Sequence, residues 1–202
     1  MIQLAFFLPK PLPFLFLLMV SGIFFIGGAA LAIPQDKDAK HRSPYAGQEQ
    51  RDIKSLSSSD IEALSNGKGW GLAKAAELNG VPGPVHLLEL KEAIGLSPEQ
   101  VAKIQALFKG MKEKAIRYGR KLIDLERELN IHFDRGTITR DLLRGLLKKI
   151  AQVRMSLRLT HLETHLDTPP ILTRHQLMAY NRLRGYTGGT PMDHRKHSQQ
   201  SQ

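Results

Sequence analysis

From Val101 to Leu129 the apolar residues fall alternately three and four positions apart: Val101, Ile104, Phe108, Met111, Ala115, Tyr118, Leu122, Leu125 and Leu129. That spacing is an unbroken heptad seam, and it predicts one helix from about Pro98 to Phe133 with Lys and Arg crowding its outer faces. Asp134-Arg135-Gly136 breaks it, and Thr137 or Thr139 can cap the next helix. That helix runs from Arg140 to about Leu166 and is amphipathic through Leu143, Leu146, Ile150, Val153 and Leu157. Thr168-Pro169-Pro170 stops it, and a last helix spans Arg174 to Arg184. Upstream, Asp60–Leu64, Leu72–Leu78 and Val85–Ile94 read as short helices, punctuated by Gly67, Gly69, Gly71, Gly80 and Pro82-Gly83-Pro84. No strand alternation of useful length occurs. The expected fold is all-α, a long antiparallel helical hairpin with short flanking helices. A seam of that length is only partly satisfied within one small hairpin, so it points to a cradle-like homodimer or an open concave surface.

Two pentapeptides mark helix starts. Leu96-Ser97-Pro98-Glu99-Gln100 and Leu172-Thr173-Arg174-His175-Gln176 share a Leu, a hydroxyl N-cap and a Gln three residues on. Each is a capping box, in which hydroxyl and amide satisfy each other's backbone N–H groups. The Leu before each cap can staple to Val101 or Leu177, and Pro98 suits a first helical position.

The N-terminal composition changes the picture. Between Pro11 and Gln35 there is no charge, Lys10 precedes an apolar run, and Ala30-Leu31-Ala32 is a small-residue cleavage pattern. Residues 1–32 therefore read as a secretory signal, with an uncleaved inner-membrane anchor as the competing reading. Residues 33–50 read as a flexible leader, 51–84 as short helices and turns, 85–186 as the helical domain and 187–202 as a disordered tail. Export puts the protein in the periplasm. The chain has 29 Lys and Arg against 19 Asp and Glu, and no Cys. An exported domain without thiols holds together by packing alone, and export makes nucleic acid an improbable partner for the basic surface.

Candidate chemistry is sparse. His161 and His165 lie four apart on one helical face and could share a zinc, copper or nickel ion. Two ligands do not complete a tetrahedral site. Glu163 points elsewhere, and a third ligand would come from His132, His175, the opposite helix or a second subunit. The plainer alternative is two half-exposed histidines that pack and hydrogen-bond. His194 and His197 in the tail, His41 in the leader and His86 against its own helix carry weaker signals. Glu77, Glu89 and Glu92 have no partner acid or nucleophile, and the glycines of 67–71 follow no strand, so the chain reads as a non-enzyme. Met111, Phe108, Tyr118, Met155 and Met178 suit an adaptable apolar surface, with ordinary core packing as the alternative.

With two LTxxQ-type motifs opening helices around a hairpin behind a signal segment, the stretch from about Leu87 to Tyr186 resembles the Spy/CpxP superfamily of periplasmic stress proteins. Residues 43–48, 71–80 and 161–166 look like its metal-resistance branch, which takes in zinc-resistance-associated proteins and heavy-metal sensors. Ser97 stands where Thr is usual, and the cap survives. The resemblance implies a small helical dimer that binds unfolded envelope proteins without ATP. Phe108, Met111, Tyr118 and Leu122 would lie on the client-binding surface and Lys112, Arg117 and Arg120 on its rim. Its alternative is a periplasmic metal-binding protein for resistance or sensing, and behind that a partner for the periplasmic domain of a sensor kinase.

Overall fold

A computed structural model of the chain describes residues 41–186. The proposed signal or anchor, the leader up to residue 40, and the tail with His194 and His197 lie outside the described residues. No described helix is long and apolar enough to cross a membrane. The described fold is all-α, with helices α1 (Ser58–Ser65), α2 (Lys74–Glu77), α3 (Pro84–Glu89), α4 (Lys91–Ile94), α5 (Pro98–Asp134), α6 (Arg140–Asp167) and α7 (Arg174–Leu183), and short 3-10 turns at Gln48–Gln50 and Pro169–Ile171.

The caps are those the composition dictates. Ser97 and Thr173 each accept a hydrogen bond from the backbone N–H three residues on, and Gln100 and Gln176 return it to the cap N–H. Of the two candidates ahead of α6, Thr139 is the cap, accepting from Leu142 N at 3.2 Å. Thr137 bonds His132 instead. The stretch expected to be one helix from Val85 to Ile94 is two, because Leu90 leaves helical geometry between them.

Two apolar clusters hold the fold. The larger joins α1, α5 and α6 through Leu56, Leu64, Ala115, Leu122, Leu146, Ile150, Val153 and Leu157. The smaller gathers Leu87, Ile94, Ile104 and Tyr180 from α3, α4, α5 and α7. The long helices α5 and α6 pack along one another, and α1 lies on α5 where Gly119 removes the side chain. Any Cβ at Gly119 would collide with the Leu64 carbonyl. On α6 the buried hydroxyls Thr160, Thr164 and Thr168 each donate to the carbonyl four residues back, at 2.9, 2.9 and 2.6 Å. The helix thus satisfies its own buried polar groups.

This packing corrects one expectation. Leu122 is 0 % exposed and Met111 is buried, so neither belongs to an open surface. The seam of α5 is covered from within the chain, by α1 and α6 at its centre and by α3 and α4 near its start. A heptad pattern reports that a face is buried, not whose residues bury it.

Candidate functional site

The two pentapeptides, 76 residues apart, meet. Gln100 Nε2 donates to Gln176 Oε1 at 2.8 Å, and Gln176 Nε2 donates to Gln100 Oε1 at 2.9 Å. Each amide also reaches the chain just ahead of the other motif: Gln100 Nε2 donates to Ile171 O at 2.8 Å and Gln176 Nε2 to Gly95 O at 2.9 Å. Each Oε1 additionally accepts its own cap N–H, at 2.9 Å in both cases. Rotating either amide would set N–H against N–H, so this network has one consistent orientation. Two local caps become a pseudo-symmetric clasp between the start of α5 and the start of α7.

A cleft of about 410 Å³ opens beside His161 and His165 of α6. One wall is the turn from Gly67 to Ala73 with Lys74 and Glu77 of α2, another the Pro84 end of α3, and a third is built by Phe108, Met111 and Lys112 of α5 and His161 and His165 of α6. Trp70 in the turn has φ +44°, a left-handed conformation unusual for a bulky residue. Its indole N–H donates to Asp60 at 2.8 Å, and the Arg154 guanidinium sits 5.2 Å over its ring. Hydrogen bonds from Ser57 and Trp70 hold the Asp60 carboxyl below its usual range. The turn is therefore tied down from both α1 and α6.

The two histidines are core residues, not the half-exposed pair of the plainer reading. His165 Nδ1 lies 2.8 Å from Val81 O, and since a carbonyl only accepts, Nδ1 is the donor there. Gly83 makes room for that ring, since a Cβ there would come within 2.5 Å of His165 Nε2. His161 is 3 % exposed, and its buried Nε2 has no hydrogen-bond partner. Burial, reinforced by the adjoining His165, holds the His161 imidazole below its ordinary range, so it is neutral at pH 7.

The suggested third ligands are elsewhere. His132 pairs with Thr137 near the far end of α5, His175 is exposed on α7, and Glu163 lines a separate hollow of about 290 Å³. Among the described residues no group of three or more His, Cys, Asp or Glu is placed to hold a metal ion. Glu77, which also lines the cleft, accepts from Tyr180 at 2.6 Å and Tyr186 at 3.1 Å and pairs with Arg184 at 3.2 Å. Burial and that carboxylate push the Tyr180 phenol well above its usual pKa. His86 pairs with Glu89 on its own helix at 3.0 Å.

Of the residues expected on a client surface, Phe108 and Tyr118 are half-buried, Met111 and Leu122 are core, and Lys112, Arg117 and Arg120 are exposed. A surface missed by following the α5 seam lies on α6. Leu147, Met155, Leu159 and Leu166 are 48, 53, 47 and 62 % exposed and recur eight, four and seven residues apart, which makes them one stripe. The core row of α6, Leu146, Ile150, Val153 and Leu157, occupies another face. Helix α6 is thus apolar on two sides. Exposed Arg144, Lys148 and Arg158 intersperse the outer stripe. Comparison of the chain with protein-family models, with curated proteins and with solved structures found no match to any of them.

Proposed function

We propose that the chain is an exported, non-enzymatic envelope-stress protein of the Spy/CpxP type that holds unfolded proteins without nucleotide. The observation that carries this reading is the outer stripe of α6. Four large apolar side chains stand in solvent along one face of a helix whose opposite needs are already met by α5. Such a stripe costs solubility unless it is used. Met155 within it is flexible and polarisable, suited to varied apolar segments, while Arg144, Lys148 and Arg158 speed encounter with acidic ones. The clasp between Gln100 and Gln176 supports the resemblance that motivates the reading, since it gives both motifs one structural purpose. On this reading α5 and α6 act as the hairpin of that family. A homodimer and a sensor-kinase partner belong to the proposal through the resemblance alone. The test is light scattering from a client unfolding in the presence of the protein. Suppression at stoichiometric amounts supports the reading, and unchanged scattering rejects it.

A second reading, a periplasmic zinc-, copper- or nickel-binding protein, is favoured by one observation. His165 is oriented by a carbonyl at Nδ1, as metal-ligating imidazoles commonly are, and His161 beside it lacks a partner. Against it stand the missing third ligand and the lysines around the cleft. A bound ion would raise the melting temperature by mass action, and His161→Ala would abolish the rise.

A further inference from the structure

The cleft between the Gly67–Ala73 turn, α3, α5 and α6 has the size and lining of a small-molecule site, and neither reading above uses it as one. Its volume of about 410 Å³ falls within the usual range for ligand pockets. Trp70, Phe108 and Met111 give it apolar walls. Its one unsatisfied buried polar atom is His161 Nε2, on a side chain that is 3 % exposed.

The charges around the cleft narrow the class of ligand. Its lysines are Lys68, Lys74 and Lys112, and its single carboxylate, Glu77, is already bound by Tyr180, Tyr186 and Arg184. Lys68 is paired with Glu62 at 2.6 Å. Lys74 and Lys112 leave the mouth cationic, and Lys112 lies 5.7 Å over the Phe108 ring. We infer that the cleft binds a small organic carboxylate with a flat apolar body: the body between Trp70, Phe108 and Met111, the carboxylate toward Lys74 and Lys112. Cationic ligands of similar shape are disfavoured by the same lysines. The inference does not depend on client holding, because the outer stripe of α6 lies on other residues.

The chain supplies its own probe, since Trp70 is the only tryptophan in it. The full chain in a non-ionic detergent is titrated with hydrocinnamate and with the corresponding neutral alcohol and cationic amine, following Trp70 emission. The expected result is a saturable change with hydrocinnamate, binding of the alcohol weaker by roughly fivefold, as two solvent-exposed charge contacts give, and binding of the amine weaker again by a similar factor. Lys74 and Lys112 are exposed, so Lys74→Glu/Lys112→Glu should fold normally, lose the preference for the carboxylate and keep the alcohol. No saturable change with hydrocinnamate, equal binding of all three compounds, or a preference that survives the double substitution would each overturn the inference.

Discussion

The clasp allows its energy to be worked out bond by bond. Gln176→Ala removes both amide–amide bonds, the donor to Gly95 O and the acceptor for the Thr173 N–H. Gln100→Ala removes the same two shared bonds, the donor to Ile171 O and the acceptor for the Ser97 N–H. A protein hydrogen bond contributes about 1 kcal/mol net, and the cap N–H groups and Gly95 carbonyl sit where water can replace the lost partner. Each single substitution should therefore cost about 2–3 kcal/mol. The two shared bonds are lost in either variant, so the double variant should be more stable than the sum predicts by about 1–2 kcal/mol. Urea unfolding of the wild type, both singles and the double, with unchanged m-values, reads this coupling directly. If the three losses add within about 0.5 kcal/mol, the two amides are not partners and the clasp is wrong.

Gly119→Ala should lower stability by more than about 1 kcal/mol by thermal melting, because its methyl would displace the Leu64 backbone, whereas Gly110→Ala, with open space at its Cβ, should stabilise or leave α5 unchanged. Thr139→Ala should cost about 1 kcal/mol in urea through loss of the α6 cap. His161 has a folded-state pKa below its ordinary value of 6.5, so protons bind the unfolded chain better and stability falls as pH drops below about that value. The melting temperature of His161→Leu should vary less between pH 7.5 and pH 5 than that of the wild type; equal slopes would show that His161 is not held neutral by burial.

Much of this fold was legible because periodicity and caps are local. The heptad seam gave α5 to within a residue, Pro98–Asp134 against an expected end at Phe133, and the capping boxes marked the starts of α5 and α7. What periodicity does not carry is the identity of the partner face. Leu122 reads equally well against a second copy or against α1, and the sign of a close internal neighbour was Gly119, a glycine inside the seam helix. The Gln100–Gln176 pairing joins residues 76 apart, so each motif announced its cap and neither announced the other. His161 and His165 were legible as a pair by their spacing. Their burial depends on the Val81-Pro82-Gly83 chain folding over them, which no helical pattern records. The outer stripe of α6 was visible only in part, through Met155. Leu147, Leu159 and Leu166 sit one position or so off the core row, and an amphipathic reading that seeks one face overlooks a second.

The account stands or falls on where an unfolded client touches the protein. A photo-crosslinking amino acid placed at Met155, in the outer stripe, is compared with one at Gln105, exposed on α5 away from it, during unfolding of a client that the protein keeps soluble. Client crosslinks from position 155 and not from 105 are the predicted result. Equal crosslinking from both positions, or none from 155, would contradict the assignment of α6 as the holding surface.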